Sequence, residues 1–136
     1  MPKTKLATSE SRALLPDVYS RADAVANVQA TALLVAAFSL GRKDLLTEAT
    51  KDRLHQPYRE QACPLLGQLL PLAGREGILS VTLSGAGPSV LVISDHNLSI
   101  FTEVDTAIRA ATGQDPSLVE QISTRISIGA VGVLNE

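Results

Sequence analysis

Aromatic residues and concentrated positive charge are both scarce in this sequence of 136 residues. It has two tyrosines, two phenylalanines and no tryptophan, and its formal net charge is −2 with no block of basic residues. A nucleic-acid surface needs a basic patch, usually with aromatic side chains on which bases stack, and an anionic membrane surface needs the same charge. The composition therefore argues against nucleic acid or a membrane as the main partner.

The chain also lacks a second cysteine and a long hydrophobic run. The single Cys63 excludes an internal disulfide, fits a reducing compartment, and is expected to be a small packed residue rather than a nucleophile. The longest strongly apolar stretch, Ala30 to Leu40, is too short to span a bilayer, and no targeting segment is visible. We therefore expect a cytoplasmic protein.

Aliphatic side chains are abundant, so the expected core consists of leucine, isoleucine, valine and alanine. A chain of this length forms one domain and buries about two-thirds of its unfolded surface. Hydrophobic periodicity predicts strands at 3–9, 78–83, 90–93 and 121–130, and helices at 18–40, 43–50, 63–73 and 98–111. The segment 55–59, which contains Pro57, is predicted to interrupt the helices.

This order of elements predicts an α+β fold, a ferredoxin-like sandwich in which a mostly antiparallel four-stranded sheet carries helices on one face. The helix at 18–40 is expected to start with Asp17 as its N-cap or with Pro16 at an early helix position, and to be buried in its apolar C-terminal half. Asn27 on this helix is expected to hydrogen-bond the first strand. The strand at 90–93 has no polar alternation, which predicts a central strand covered on both faces.

A glycine-rich loop joins the two middle strands, in the segment from Leu83 to Val90 (LSGAGPSV). Such a loop allows the backbone to approach a ligand closely, because glycine has no Cβ and adopts positive φ. The same residues are equally typical of a tight hairpin connection. From the loop alone, both interpretations stay open.

Two further motifs accompany this loop: the segment from Leu6 to Pro16 (LATSESRALLP) and the segment from His55 to Arg59 (HQPYR). In this order, the three motifs resemble the C-terminal half of the homoserine kinases, a family of the GHMP kinase superfamily, over nearly the whole chain. The loop is shared across the superfamily, whereas the other two motifs point to the homoserine kinases. The resemblance implies the same α+β domain and a role in ATP-dependent phosphorylation of L-homoserine in threonine biosynthesis.

The resemblance also implies a set of site residues. These are substrate-binding residues at Thr8, Arg12 and Arg59, and an active-site loop at Gly85, Ala86 and Gly87. We expect the two arginines to clamp the substrate carboxylate, because converging guanidinium groups form directional, charge-assisted hydrogen bonds. Thr8 is expected to orient the reacting groups, since a threonine is too weak a base to act unaided. The competing interpretation of the arginines is a salt bridge to Glu10, Asp17 or Glu60.

The sequence offers no catalytic residue, no metal site and no nucleotide loop that we can assign. His55 has no carboxylate or second histidine at metal spacing, which favours a loop or helix-end histidine. Phosphoryl transfer needs a phosphate cradle and magnesium, and the resemblance places both in an N-terminal domain. We therefore expect residues 1–136 to be the C-terminal domain, with ATP and magnesium bound mainly by an N-terminal domain absent from this chain.

Three consequences and two alternatives follow from this interpretation. The isolated chain is expected to be inactive, its partners are L-homoserine and the N-terminal domain of the same kinase, and it is expected to form homo-oligomers through exposed apolar surface. One alternative is a stand-alone amino-acid-binding regulatory module of ferredoxin-like fold, which the fold itself does not separate from an enzyme domain. The other is a different small-molecule kinase of the GHMP superfamily.

Overall fold

The computed structural model of the chain describes residues 7–75 and 77–95, together with residues 102, 105, 106, 109, 110, 113, 120 and 122–124. Most of the predicted strands at 3–9 and 121–130 and of the predicted helix at 98–111 lies outside these residues. The described helices and strands are α1 (Thr8–Ala13), α2 (Arg21–Leu40), α3 (Leu46–Ala49), α4 (Gln56–Arg59), α5 (Pro64–Leu69), β1 (Ile78–Leu83) and β2 (Val90–Ser94). Short 3-10 turns lie at Lys43–Leu45, Glu60–Ala62 and Leu70–Leu72.

The first described element is a helix where the alternating pattern predicted the end of a strand. Thr8 and Ser9 begin α1, so the strand predicted at 3–9 does not reach Ser9. The backbone N–H of Ala7 donates to Glu10 Oε2 at 3.2 Å. Because the first N–H groups of a helix have no partner inside it, an acidic side chain in the first turn favours helix over strand here.

The long helix α2 begins later than predicted and ends where predicted. Its N-cap is Ser20, whose hydroxyl accepts a hydrogen bond from the N–H of Asp23 at 3.1 Å, so the expectation that Asp17 caps it is wrong. Serine satisfies a free N–H of the first turn as well as aspartate does. Gly41 ends the helix with φ 64°, a left-handed conformation that glycine adopts without strain.

The predicted burial of the C-terminal half of α2 is wrong. Val25, Val28 and Val35 lie on one stripe with exposed fractions of 49%, 70% and 63%, and Ala37 alone among its residues is buried. Among the described elements, the helix packs mainly against α3 and the 3-10 turn before it. By length and composition the whole of α2 could also cross a membrane, with a mean hydropathy of 1.4, although its stretch from Ala30 to Leu40 alone is too short to do so. Core helices of soluble proteins and signal sequences have the same length and composition.

The segment predicted as an interruption contains the short helix α4. Pro57 occupies its first turn, where the missing N–H of proline costs no intrahelical hydrogen bond. The proline therefore starts a helix at this position instead of ending one. As a result, Arg59 is held in regular backbone, and it is buried.

The core lies between α5 and a hairpin of β1 and β2. These strands pair antiparallel, with Leu83 opposite Val90 at the loop end. The cluster consists of Leu65, Leu69, Leu72, Ile78 and Val81. The structure is thus α+β, with helices and a small antiparallel sheet. In the described ranges this sheet has two strands, and residues 122–124 of the last predicted strand have no regular structure.

The expectation that β2 is covered on both faces is wrong for the described part of the chain. Leu91 is 47% exposed, although its neighbours are apolar as in a central strand. In the described residues β2 also pairs with β1 alone, so one edge of β2 has no described partner strand. The pattern of polar and apolar side chains along a strand indicates which of its faces are covered only when all the elements that pack on the strand are present.

Candidate substrate site

A cavity of about 500 Å³ opens where α1, α4 and the glycine-rich loop meet. Its lining residues are Thr8, Arg12, Asp52, His55, Gln56, Arg59, Thr82, Leu83, Gly85 and Ala86. Five of the six residues implied as a site from the sequence are among them. Gly87 is not, and the folding of the loop explains why.

Helix α1 presents two of these residues. Thr8 and Arg12 are four positions apart, which places both on the same face of the helix, and both are exposed. Within the described residues, Arg12 forms no salt bridge with Glu10 or Asp17, the partners that a purely structural role would require. Its charge is therefore open to the cavity.

Arg59 is buried, with an exposed fraction of only 7%, whereas Arg12 is exposed. Its Nε–H donates to the backbone carbonyl of Ser11 at 3.2 Å. No described carboxylate, Glu60 included, forms a salt bridge with it. A ligand anion that reaches this buried guanidinium group would meet a donor whose direction the Ser11 carbonyl already holds.

Ser11 connects the three motifs, a role that was not predicted from its residue type or position. The residue is completely buried, and its hydroxyl donates to the carbonyl of Ala86 in the glycine-rich loop at 2.6 Å. Its own carbonyl accepts from Arg59. A serine in a short polar helix is usually exposed to solvent, so its role can be recognised only from its contacts in the folded chain.

The glycine-rich loop is both a hairpin connection and a wall of the cavity. The N–H of Ser84 donates to the carbonyl of Ser89 at 2.9 Å and closes the hairpin. Gly87, at φ 82°, faces inward: a Cβ placed there would lie 2.9 Å from Cys63 Sγ. Burial raises the pKa of the Cys63 thiol against an opposing effect of the Arg59 charge, as fits a packed, unreactive cysteine.

Five lining residues were not predicted as site residues: Asp52, His55, Gln56, Thr82 and Leu83. Asn27 Nδ2 donates to Asp52 Oδ1 at 2.8 Å. The expected hydrogen bond from Asn27 to the first strand stays a prediction, because most of that strand lies outside the described residues. Burial of the Asp52 carboxylate acts to raise its pKa, but hydrogen bonds from Asn27 and three backbone N–H groups outweigh it and hold the pKa below its usual range. An aspartate just before a Pro-containing segment is a helix-start signal that could have identified Asp52.

Comparison with known proteins identifies the family. The profile of the family described as GHMP kinases C terminal matches residues 34–122. This match includes α4, the hairpin and most of the residues that line the cavity. The chain therefore belongs to this family of kinase C-terminal domains.

The chain is similar to curated proteins named homoserine kinase. It is 45% identical to the one from Solibacter usitatus, over 76% of this chain and 34% of that protein, and 44% identical to the one from Synechocystis, over 71% and 31%. The chain thus spans about a third of the length of these relatives. A crystal structure of homoserine kinase from Cytophaga hutchinsonii has the same fold, with a TM-score of 0.69 at 22% identity, over 82% of this chain and 35% of that one.

Proposed function

We propose that this chain forms the acceptor-substrate part of a homoserine kinase, which uses ATP to phosphorylate the side-chain hydroxyl of L-homoserine. The observation that carries the proposal is the single cavity in which Thr8, Arg12 and Arg59 lie beside Gly85 and Ala86. The names of the relatives give the substrate class, and the cavity offers cationic and hydroxyl groups suited to a small hydroxy amino acid. No observation favours the regulatory module or another GHMP kinase.

The two arginines would bind the carboxylate of homoserine from different sides. Arg59 is buried and oriented by Ser11, so it supplies a fixed fork of donors. Arg12 is exposed at the mouth of the cavity and would complete the clamp when the ligand enters. Paired guanidinium groups suit a planar carboxylate, because each presents parallel N–H donors that a lysine does not.

Thr8 and the glycine-rich loop would orient the reacting end of the substrate. The Thr8 hydroxyl can donate to or accept from the substrate hydroxyl, which is an orienting role and not that of a base. Gly85 and Ala86 line the cavity next to α1, to which Ser11 ties the loop, and they bring backbone to the cavity without bulky side chains. Gly87 contributes indirectly by packing against Cys63, which fixes the loop.

ATP and magnesium would be bound mainly by an N-terminal domain outside this chain. Among the described residues, no three His, Cys, Asp or Glu side chains cluster as metal ligands would. Asp52 is the carboxylate that lines the cavity, and its oxygens are already occupied by donors of the protein. The described residues therefore do not fit a magnesium site.

The N-terminal domain and a second copy of the chain are the proposed protein partners. The exposed stripe of Val25, Val28 and Val35 on α2 is the surface best suited to such contacts. A helix with an uncovered apolar stripe is usually covered by another element in the assembled protein. In the kinase this stripe would face the N-terminal domain, and in the isolated chain a second copy would compete for it.

The test is a hybrid kinase, in which this chain replaces the matched C-terminal third of the Solibacter usitatus homoserine kinase. We expect the hybrid to release ADP in the presence of L-homoserine and the isolated chain to show no turnover. The same hybrid carrying Arg12→Ala and Arg59→Ala lacks the proposed carboxylate clamp and should lose homoserine-dependent ADP release. A folded hybrid that binds ATP but does not turn over homoserine would contradict the proposal, as would normal turnover by the isolated chain.

A further inference from the structure

Asp52 lies at the centre of a hydrogen-bond cluster on the edge of the cavity. Its carboxylate accepts from Asn27 Nδ2 at 2.8 Å and from the backbone N–H groups of Leu54 at 2.8 Å, His55 at 3.1 Å and Gln56 at 2.9 Å. The side chain is 18% exposed, and His55 Nδ1 lies 3.4 Å from Oδ2. One carboxylate thus holds three consecutive backbone groups that would otherwise lack partners at the start of α4.

Asn27 ties this cluster to the long helix α2. While its Nδ2 donates to Asp52, its Oδ1 accepts from the backbone N–H of Arg53 at 2.8 Å. Both hydrogen-bonding ends of the amide are therefore used by the segment just before α4. The helix of 20 residues acts as the fixed support, and the short segment is aligned to it.

Helix α4 connects the hydrogen-bond cluster around Asp52 to the cavity. Gln56, the first residue of α4, accepts from the N–H of Leu83 at 3.1 Å through Oε1. Its Nε2 donates to the carbonyl of Thr50 at 3.3 Å. Arg59 follows three residues later, on a helix of four residues that is too short to be stable without such external contacts.

We propose that Asp52 is a positioning residue of this site: through Asn27 and the backbone N–H groups of residues 54–56, it fixes the start of α4 and so the direction in which Arg59 meets the substrate carboxylate. The proposal rests on the proposed function, since it names a residue that supports the same site. Asp52 does not need to touch the substrate, because protein donors occupy its oxygens. The lowered pKa of Asp52 keeps it ionised and accepting at neutral pH.

The first experiment is Asp52→Asn in the hybrid kinase. The amide keeps the shape but turns one acceptor into a donor that faces backbone N–H groups. We expect the KM for homoserine to rise about tenfold or more, as fits the loss of hydrogen bonds to a charged group, with kcat and the KM for ATP changed much less. Asp44→Asn is the matched control: it removes a carboxylate that bonds Arg42 on the surface, outside the cavity, and should leave both KM values unchanged.

If Asp52→Asn folds poorly, exchanging the side chains of Asn27 and Asp52 provides a second test. Asn27→Asp alone places two carboxylates against each other and should weaken homoserine binding more than Asp52→Asn. The double variant Asn27→Asp, Asp52→Asn restores a donor between the two side chains and an acceptor for Arg53, so it should recover part of the loss. Recovery would support positioning, and a double variant as weak as Asn27→Asp would overturn it.

A spectroscopic measurement separates this proposal from the proposed function. In the isolated chain, the NMR signal of the Arg59 Nε–H reports its bond to Ser11. Asp52→Asn should shift this signal, whereas Asp44→Asn should not. If the unsubstituted hybrid does not use homoserine, the proposed function fails while the Arg59 signal still tests positioning. An unchanged Arg59 signal together with an unchanged KM for homoserine would overturn the role of Asp52.

Discussion

Arg59 donates through Nε to the backbone carbonyl of Ser11, 3.2 Å away, although 48 positions separate the two residues. Ser11 is fully buried, and its hydroxyl donates to the carbonyl of Ala86 in the glycine-rich loop at 2.6 Å. Helices α1 and α4 and the glycine-rich loop thus meet at one serine. The bond to Nε leaves the terminal nitrogens of Arg59 without a partner in the described part of the chain, which is the arrangement a carboxylate ligand needs.

Substitution of Arg59 should therefore weaken homoserine binding and spare ATP binding. In the hybrid kinase we expect Arg59→Ala to cost about 2–5 kcal/mol of homoserine binding, the usual loss when one partner of a desolvated charge pair is removed. Arg59→Lys should recover only part of it, because an ammonium group does not reproduce the guanidinium fork. Titration calorimetry measures both affinities.

The control for this prediction is Arg75→Ala. Arg75 lies outside the cavity, and its exposed side chain donates to the carbonyl of Pro71 at 3.1 Å. This variant should leave homoserine affinity unchanged. If Arg59→Ala binds homoserine as tightly as the unsubstituted hybrid, the carboxylate clamp is wrong.

The resemblance of three motifs allowed five of the ten residues that line the cavity to be named in advance, but not the residues that hold them. Thr8, Arg12 and Arg59 belong to recognisable segments. Ser11 and Asp52 act through hydrogen bonds to residues that are distant in sequence or to backbone groups, and such bonds leave no periodic signal. The motifs could identify residues that line the cavity, whereas the residues that hold them in place depend on tertiary contacts.

Local chemistry decided the fold details that the periodicity predicted wrongly. An acidic residue in the first turn made Thr8 and Ser9 helical, and Pro57 began a helix because it lies in the first turn. The bounds of β1 were predicted correctly, because its apolar run ends at the glycine-rich loop. Predicted strands that lie largely outside the described residues stay predictions, and with them the four-stranded sheet.

Gly87 should tolerate alanine much less than Gly85 does. Both have positive φ, which costs roughly 1–2 kcal/mol for any residue with a Cβ. At Gly87 the Cβ would also lie 2.9 Å from Cys63 Sγ and 3.3 Å from Leu83 Cδ2, whereas nothing lies within 4 Å at Gly85. Urea unfolding should therefore show a larger loss of unfolding free energy for Gly87→Ala, by about 1–3 kcal/mol of overpacking.

Cys63→Ala tests whether contact with Cys63 causes the larger destabilisation expected for Gly87→Ala. It removes the sulfur that the new Cβ would meet, so the double variant Gly87→Ala, Cys63→Ala should be more stable than the sum of the two single effects predicts. Strict additivity would mean that contact with Cys63 is not the source of the loss.

The stability of the chain should fall on acidification partly through Asp52. Its pKa is lowered in the folded chain, so the unfolded chain binds the proton at higher pH than the folded one. The stabilisation is therefore present above the ordinary aspartate pKa, about 4, and is lost as the pH falls through the lower folded value. Unfolding free energies measured between pH 7 and pH 3 should decline less steeply for Asp52→Asn.

Asp44→Asn is the control for the acid dependence. The pKa of Asp44 is also lowered, mainly by its hydrogen bond from Arg42, but the carboxylate is fully exposed and water screens the pair. This variant should change the slope with pH less than Asp52→Asn does. Equal slopes for the unsubstituted chain and Asp52→Asn would show that the carboxylate contributes nothing to the acid dependence.

The isolated chain should self-associate through the exposed stripe of α2. No charged residue occurs from Ala24 to Leu40, and Val28 and Val35 are 70% and 63% exposed. Burying a valine side chain is worth about 1.5–3 kcal/mol, so several such residues on one face favour contact with a second copy. Val28→Glu and Val35→Glu should shift sedimentation toward monomer, while Gln68→Glu adds the same charge on α5 and should not. A monomer at every accessible concentration of the unsubstituted chain would contradict the prediction.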